Sequence, residues 1–577
     1  MKHPLRQSLV LTFLLALAFE VSGAEQTELA GNPTDTRVGG IDVDATTIPE
    51  LQRLMNNGQL NSVQLTRFYL RRIDELNPML NAVITVSPTA LADARAADAA
   101  RASGVRRPLL GIPIIVKDNI NTTGMPTTAG SWALARNTPD DAFIVERLKA
   151  AGALVIGKAN LSEWANFRSI PSSSGWSGIG GQTNMAYVLD RNACGSSSGS
   201  AVVVSADLAV AAVGTETDGS IVCPAGANAN VGIKPTLGLL SREGIVPISA
   251  NQDTAGPMAR NVTDAAVLLG AMTGIDRNDP ATAAQAGHAF RNYRQFLDAG
   301  ALQGARIGVW REGSFEFGGE PVDRQVSAVM DRTIAALRRM GATVVDPVNI
   351  PFGDWAGAEF PALLCEFKTD IARYLRSYTE GDIKTLNDLL KYNWRHQQKE
   401  SGAPESDWNS AIFWLADQTG GRDEECRALR AIATPGARQA INGVMAGRNL
   451  DAIIAPTNGP AWVTDPVNGD LGGDFSTFIG SSGPAAVAGF PNVTVPAGFI
   501  GPLPVGVSFI GGRWDEPRLL ALAYAFEQAT KVREPPQFIP SIGDDSAASA
   551  ADSVAAQAMQ PAGASVRDGA WRMPPLR

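Results

Sequence analysis

The chain has 577 residues, of which 45% are hydrophobic, and it carries a formal net charge of −9. That length and composition allow a large buried core. Lys and Arg are outnumbered by Asp and Glu and do not cluster, which argues against a nucleic-acid partner, because phosphate binding needs basic patches. The four cysteines have the spacing of neither a zinc site nor a disulfide-dense scaffold.

The first 24 residues have the pattern of a secretory signal peptide. Lys2 and Arg6 precede an apolar stretch from Leu9 to Phe19, and small residues occupy the −3 and −1 positions before a cleavage site after Ala24. The apolar stretch is too short to span a bilayer. We therefore expect a protein exported to the periplasm or beyond and free of the membrane after cleavage. An uncleaved N-terminal anchor is the alternative. Residues 25–46 are predicted to be a linker.

Helical and apolar-strand patterns alternate from residue 47 to residue 535. The first helix is predicted from Ile48 to Leu76. The stretches 143–156 and 322–345 each contain an amphipathic helix, a glycine and an apolar strand, which is the repeating unit of an α/β fold. Further strands are predicted at 306–309, 452–455, 493–495 and 505–509, and a last helix at 518–529. The pattern predicts one α/β domain with a mixed, largely parallel sheet covered by helices on both faces.

Two segments depart from this pattern. Residues 275–450 have few glycine–serine turns and are predicted to be more helical, and we interpret them as an insertion that shapes the substrate entrance. Residues 536–577 are rich in Ala, Ser, Pro and Gln with few large apolar residues, which predicts a disordered tail.

Two glycine–serine turns lie on either side of an apolar run between residues 194 and 224. Ser196 is in the first turn and Ser220 in the second. Upstream, Lys117 directly follows an apolar run that is typical of a buried strand, in the sequence GIPIIVKDNI. Such turns can expose a nucleophilic hydroxyl and direct backbone N–H groups at one point.

The histidines offer no base for a serine nucleophile in these turns. His3 lies in the predicted signal peptide, and His288 and His396 lie outside any glycine–serine turn. A serine nucleophile therefore needs a different base. Lys117 is the candidate.

The segment from about Arg107 to Arg260 resembles the amidase signature enzymes, whose Ser-Ser-Lys triad hydrolyses carboxamides. Lysine after GIP and an apolar strand, a Gly-Ser-Ser turn and a GTETDGS turn carry the resemblance. The phrases NLSEWANFR, CGSSSGS, GTETDGSIVCP and QDTAGPMAR are most similar to those of bacterial peptide amidases. The resemblance continues more weakly to about Arg533 and implies a hydrolase with no cofactor and no metal.

The resemblance implies a catalytic role for several of these residues. Ser220 would be the nucleophile, Ser196 a relay serine on a cis peptide bond, and Lys117 the general base. Because an exposed lysine has a pKa of about 10.4, Lys117 would have to be buried and neutral. Ser197 would support the relay, and Glu216 would anchor the second turn. The oxyanion would be bound by the backbone N–H groups of four consecutive residues, which are Thr217, Asp218, Gly219 and Ser220.

Asp218 departs from the family pattern, which usually has glycine at that position. Backbone N–H groups do not depend on the side chain, so the oxyanion site is expected to be intact. The departure places a carboxylate near the path of the substrate. Peptides with a C-terminal amide are the expected substrates, and fatty-acid, aryl and simple amides are the alternatives.

Three other interpretations of the motifs remain. The run from Gly195 to Gly199 fits G-x-S-x-G, in which Ser197 would be the nucleophile of an α/β-hydrolase with a downstream carboxylate and histidine. A binding protein with the amidase fold and no activity is a second possibility. The tRNA-dependent amidotransferase subunit is a third, although that protein is cytosolic and works in a complex on tRNA.

The four cysteines are Cys194, Cys223, Cys365 and Cys426. Cys194 and Cys223 flank the two turns, so a bridge between them is conceivable in an oxidising compartment. The sequence favours buried thiols that act as small apolar residues.

Overall fold

The computed structural model describes residues 32–169, 172–397, 410–471 and 479–543. The predicted signal peptide and most of the predicted tail lie outside the described residues. Within the described part of the chain, no helix is both long enough and apolar enough to cross a membrane.

A large mixed β-sheet organises the described residues. Its strands in chain order are β1 (Val83–Val86), β2 (Pro113–Lys117), β3 (Leu154–Ala159), β4 (Ala211–Glu216), β5 (Val231–Lys234), β6 (Thr254–Ala259), β7 (Arg306–Trp310), β8 (Thr343–Val348), β9 (Ala452–Pro456), β10 (Asn492–Ile500) and β11 (Leu503–Ile510). Their order across the sheet is β8-β7-β9-β11-β10-β5-β6-β4-β2-β3-β1. Three short pairs lie apart from it, namely Arg37–Val38 with Ile41–Asp42, Trp176–Ser177 with Gly181–Gln182, and Glu316–Phe317 with Glu320–Pro321.

The parallel pairs form two blocks within the sheet. Strands β8, β7 and β9 are parallel at one end, and β4, β2 and β3 are parallel near the other. The strands between the blocks pair antiparallel, as do β1 and β3 at the edge. The predicted α/β class with a mixed sheet is confirmed, and the antiparallel centre is a feature that the sequence patterns did not indicate.

Helices flank the sheet. They are α1 (Ile48–Asn56), α2 (Ser62–Leu80), α3 (Ala90–Ala102), α4 (Phe143–Ala150), α5 (Ser198–Ser205), α6 (Val222–Ala227), α7 (Val262–Met272), α8 (Arg324–Arg339), α9 (Asp354–Tyr378), α10 (Leu386–Arg395), α11 (Ala411–Asp417), α12 (Glu424–Arg448), α13 (Gly483–Ala488) and α14 (Glu516–Thr530). Short 3₁₀ turns occur at Trp132–Leu134, Glu163–Asn166, Pro280–Gln285, Tyr293–Phe296 and Gly469–Leu471.

The predicted helix–glycine–strand units are present. Gly152 ends the turn after α4 with φ +97°, and a Cβ added there would lie 2.6 Å from the Leu110 Cα atom. Gly341 has φ +88° between α8 and β8. Both positions therefore need glycine, because other residues rarely adopt this backbone conformation.

The segment 275–450 is divided between two structures. Strands β7 and β8 and helix α8 belong to the main sheet and its flank, so this part is not an insertion. Helices α9 to α12, within residues 354–397 and 410–448, form a helical layer that we call the helical cover. Helices α9 and α12 pack along each other and are joined by a disulfide between Cys365 and Cys426.

The folded domain extends beyond both predicted boundaries, 47 and 535. Asp44 accepts hydrogen bonds from Arg533 at 2.6 and 2.8 Å, which fixes the segment predicted to be a linker. Phe538 is buried, and Ile539 forms a bridge with Val188. The predicted boundaries were too narrow because local composition does not reveal these long-range contacts.

Candidate active site

Lys117 ends β2 and lies between β3 and the parallel strand β4. Its side chain is fully buried. The Nζ atom lies 2.8 Å from Ser196 Oγ and 3.0 Å from Ser197 Oγ. It also lies 3.0 Å from Thr215 Oγ1 and 3.2 Å from the Thr215 carbonyl oxygen. The predicted burial of this lysine is confirmed.

Burial lowers the pKa of Lys117 to about 7, because the apolar surroundings destabilise the ammonium form. The carboxylates of Glu216 and Asp253 act in the opposite direction and raise this pKa. An amine that titrates near neutrality can exchange a proton with a hydroxyl in contact with it.

The first turn holds Ser196 and Ser197 against this amine. Both residues are fully buried, and the peptide bond between Gly195 and Ser196 is cis, as the resemblance implied. The Ser196 carbonyl accepts a hydrogen bond from the Ser162 N–H at 3.1 Å. A Cβ at Gly195 would lie only 2.3 Å from the Ser162 hydroxyl, so only glycine fits this approach.

The second turn, residues 217–220, joins β4 to α6. Gly219 has φ +77°, in the left-handed region that favours glycine in a tight turn. Among the described residues, none accepts a hydrogen bond from the N–H groups of Thr217, Asp218, Gly219 or Ser220. Ser220 is 8% exposed, whereas Ser196 is 0% exposed. The turn thus has a nearly buried hydroxyl beside free N–H donors.

Glu216 anchors this turn, as predicted. Its carboxylate accepts hydrogen bonds from the Ile221 and Val222 N–H groups at 2.8 and 3.0 Å. The two turns also contact each other, because the Ser197 N–H donates to the Ser220 carbonyl at 3.1 Å. The structure therefore brings the predicted residues of both turns together with Lys117.

Ser197 is buried and its hydroxyl is engaged in several hydrogen bonds, so it is not an exposed nucleophile. Its hydroxyl donates to the Thr215 carbonyl at 3.0 Å and accepts from the Thr215 N–H at 3.2 Å. His288 stacks on Trp514, and His396 stacks on Tyr392. Neither histidine has a contact with Ser197, so the geometry gives no support to the G-x-S-x-G interpretation.

The cysteines form two disulfides, which corrects the expectation of free thiols. Cys194, two residues before Ser196, is bonded to Cys223, three residues after Ser220. Cys365 is bonded to Cys426 in the helical cover. Each pair has its Cα atoms about 6 Å apart, at 6.0 and 5.9 Å. Sequence spacing cannot report such a distance.

Charged residues from the helical cover also reach the second turn, and sequence reasoning missed them. The carboxyl group of Glu359, on α9, lies within hydrogen-bonding reach of the Asp218 carboxyl group and accepts a hydrogen bond from the Gln252 amide nitrogen. Gln252 donates to the Thr217 carbonyl at 3.1 Å. Gln252 belongs to the phrase QDTAGPMAR, which could have indicated it, but Glu359 lies in the segment 275–450, outside the phrases that carry the resemblance, and has no sequence signal. Within the described ranges, no group of His, Cys, Asp and Glu side chains is arranged to hold a metal ion.

This geometry suits acyl transfer. A lysine that titrates near pH 7 contacts a buried serine hydroxyl, and a second serine lies beside a turn with free N–H donors. These are the parts needed to activate a nucleophile and to stabilise an oxyanion.

Comparison with known proteins agrees with this chemistry. The family model "Amidase" matches residues 64–520. The chain belongs to the amidase signature family. A probable amidase of Arabidopsis thaliana is 38% identical over 536 residues, which cover 91% of this chain and 96% of that protein. One subunit of the glutamyl-tRNA(Gln) amidotransferase of Symbiobacterium thermophilum is 35% identical, with 84% of this chain and 96% of that protein covered.

Among solved structures, the native peptide amidase from Stenotrophomonas maltophilia is 46% identical. It matches with a TM-score of 0.78 and covers 86% of this chain and 99% of its own. The protein is therefore a hydrolase of amide C–N bonds.

Proposed function

We propose that this amidase removes the C-terminal amide group from peptides and releases ammonia and a peptide with a free carboxylate. The observation that supports this substrate is the 46% identity to the peptide amidase from Stenotrophomonas maltophilia over nearly all of that chain. The quoted phrases around Asn160 and Ser196 border the two catalytic turns, where a substrate carbonyl has to bind.

In the proposed mechanism, the neutral Lys117 amine accepts a proton from Ser196, which accepts one from Ser220. The Ser220 oxygen attacks the amide carbonyl carbon, and the resulting oxyanion is bound by the backbone N–H groups of residues 217–220. The C–N bond then breaks, and the proton returns through Ser196 to the leaving nitrogen as ammonia. Water attacks the acyl-enzyme by the same proton path in reverse and releases the acid and Ser220.

The proposal requires a site that is closed beyond the scissile nitrogen, with room for an NH₂ group but not for a further residue. Internal peptide bonds would then be spared. A small carboxamide, a fatty-acid amide or an aryl amide would need a binding site of a different shape. Each could still be hydrolysed by the same serines and lysine.

Ammonia or amine release from three substrates tests the substrate assignment. They are an amidated dipeptide, a long-chain fatty amide and an anilide of a small acid, each measured as kcat/KM, together with a non-amidated peptide as a check on internal bonds. We expect the amidated dipeptide to be preferred by at least about 100-fold. A preference for the fatty amide or the anilide would overturn the peptide assignment and leave the amidase activity in place.

We further propose that the protein is exported. The two disulfides support this, because disulfides persist in the periplasm and outside the cell and are rare in the cytosol. Fractionation of cells that express the full chain, with N-terminal sequencing of the product, tests it. A product that begins at Glu25 outside the cytoplasm is expected, and a cytoplasmic product with an intact N-terminus would contradict it.

Export would separate this protein from the tRNA-dependent amidotransferases, although a component of one of them is 35% identical. A protein with the fold but no activity is disfavoured by the contact between Lys117 and Ser196. Turnover of any amide by the purified chain alone excludes that possibility.

A further inference from the structure

Two carboxyl groups meet at the second turn. Asp218 is part of the turn, and Glu359 projects from α9 of the helical cover. The two carboxyl groups lie within hydrogen-bonding reach of each other. The Asp218 Oδ1 atom is inaccessible to water and has no hydrogen-bond donor among the described residues. Two ionised carboxylates are acceptors only, so this contact requires that one of them carries a proton.

Gln252 links the same carboxyl pair to the backbone of the turn. Its side-chain amide nitrogen donates to Glu359 Oε1 at 2.5 Å and to the Thr217 carbonyl at 3.1 Å. Its amide oxygen accepts from Arg430 Nη1 at 2.9 Å. Arg430 is itself held by Glu366 through contacts of 2.6 and 2.9 Å. The orientation of Gln252 is thus set from the helical cover.

These contacts hold two successive residues of the turn from one helix. The Thr217 carbonyl is bound through Gln252, and the Asp218 side chain is bound by Glu359 directly. The N–H groups of Asp218 and Gly219 follow immediately, so any rotation of these peptide units changes where the N–H groups point. A side chain of the helical cover therefore controls the geometry of the proposed oxyanion site.

We propose that Glu359 is a positioning residue for the amidase reaction, and that the proton it shares with Asp218 fixes the 217–220 turn in its catalytic orientation. The inference rests on the proposed role of the N–H groups of this turn. It explains what the carboxyl group of Asp218 does at a position where the family usually has glycine.

The surroundings keep the proton on the pair at neutral pH. Burial raises the pKa of Asp218 well above its usual range, and the neighbouring Glu359 raises it further. Burial also raises the pKa of Glu359, although Arg430 and the hydrogen bond from Gln252 lower it. The other charged groups that face the pair are Lys234 of β5 and Glu216 of β4, and Asp253 accepts a hydrogen bond from the Thr217 hydroxyl.

Raising the pH should weaken the contact between Asp218 and Glu359. At neutral pH the pair holds one proton and stays bonded. At alkaline pH the proton is lost, the two carboxylates repel each other, and the turn is released from α9. Extra negative charge beside the oxyanion would also oppose catalysis. We therefore expect kcat to decline on the alkaline side.

Replacing Glu359 tests this inference. A glutamine there supplies its own N–H donor and needs no shared proton, so Glu359→Gln should move the alkaline decline of kcat upward by at least one pH unit. Glu359→Ala removes the contact, and we expect kcat at pH 7.5 to fall about 10- to 100-fold with KM changed less than threefold. Loss of a whole oxyanion donor typically lowers kcat about 10²- to 10³-fold, so a misplaced turn should lose less. Glu359→Gln should recover most of the loss caused by Glu359→Ala.

The controls separate positioning from general damage. Glu425→Gln makes the same chemical change at an exposed position of α12 and should leave kcat and its pH profile as in the wild type. If Glu359→Gln does not fold, Asp218→Asn supplies the donor from the other side of the pair and should shift the same alkaline decline. Thermal unfolding of each variant shows that the measured enzyme is folded.

Two results would overturn the inference. One is an alkaline profile that is the same in wild type and Glu359→Gln, and the other is a normal kcat in Glu359→Ala. The assays use whichever amide of the substrate panel the wild type turns over fastest, so an error in the peptide assignment does not affect them. If Ser220→Ala were active, the proposed roles of the turn would fail independently of any result at Glu359.

Discussion

The two catalytic turns and the helical cover contribute different chemistry to one site. The turns supply hydroxyls and backbone N–H groups, and their conformation depends on glycines such as Gly195 and Gly219. The cover supplies charged side chains from α9 and α12, as Glu359 and Arg430 do, and both are hydrogen-bonded to the side-chain amide of Gln252. Each region has one disulfide. In the proposed mechanism the chemistry lies in the turns, while the cover controls how the turns are held.

Loss of Ser220 should have the largest effect on kcat, and it tests whether the chemistry lies in the turns. Ser220→Ala should lower kcat by about 10⁴-fold or more, as removal of a catalytic serine does elsewhere. Ser197→Ala is the matched control in the other turn, and its loss should be about 10- to 100-fold, because it removes hydrogen bonds to the lysine rather than the nucleophile. Amide turnover measures both, and a fluorophosphonate with mass spectrometry should label Ser220. Labelling of Ser197 would restore the G-x-S-x-G interpretation.

Lys117→Ala should be nearly as damaging, because no described histidine can replace the base. In the wild type, kcat/KM should rise with pH through about 7, because the pKa of Lys117 is lowered to about 7 by burial and only the neutral amine accepts a proton. The rate should fall below that pH. Lys117→Arg keeps a charge but cannot act as a base, so it should also be inactive. Full activity at pH 5, or a mild effect of Lys117→Ala, would place the base elsewhere.

The two disulfides allow a direct test of the comparison between the regions. Removing Cys194–Cys223 by double alanine substitution should lower kcat about tenfold in the folded enzyme, because it joins the turns that carry Ser196 and Ser220. Removing Cys365–Cys426 should lower kcat less. Their sequence separations are 29 and 61 residues, so loop-closure entropy predicts the opposite order for the loss of unfolding free energy.

Initial rates measure which disulfide has the larger effect on kcat. Chemical denaturation of the same preparations measures which has the larger effect on the free energy of unfolding. Equal effects of both disulfides on kcat, or a larger effect of the Cys365–Cys426 pair, would show that the cover contributes more directly to catalysis than we infer.

Replacing the histidines should have the smallest effect. Asparagine at both His288 and His396 should leave kcat/KM within about twofold, since each ring stacks on an aromatic residue and neither contacts the catalytic turns. His396 belongs to the helical cover, so this variant also tests whether the cover supplies a base. A 100-fold loss of activity would show that it does.

The parts of the fold and site that the sequence predicted depend on local backbone requirements. The helix–glycine–strand units were predicted because Gly152 and Gly341 adopt conformations that other residues avoid. The residues of the turns were predicted because glycine and serine are needed at fixed positions along a short stretch of chain.

The parts that were missed depend on distance in space. The contact of Glu359 with Asp218 and both disulfides join positions far apart in sequence, and no periodicity records such pairs. The antiparallel centre of the sheet was missed for the same reason, because β10 and β5 are largely buried strands whose neighbours the sequence does not specify. Both segment boundaries depend on long-range contacts, the ion pair of Asp44 with Arg533 at one end and the bridge of Ile539 with Val188 at the other.

That ion pair also constrains the order in which the protein can be completed during synthesis. Asp44 and Arg533 are 489 positions apart in the chain. The ribosome therefore makes almost the whole domain before Asp44 can meet Arg533, and until then Arg260, whose Nε atom lies 3.9 Å from the carboxylate, is the cation next to it. A nascent chain that stops before Arg533 should still hold this segment through Arg72 and Arg260, but less firmly, so the segment should be more sensitive to proteases than in the complete chain.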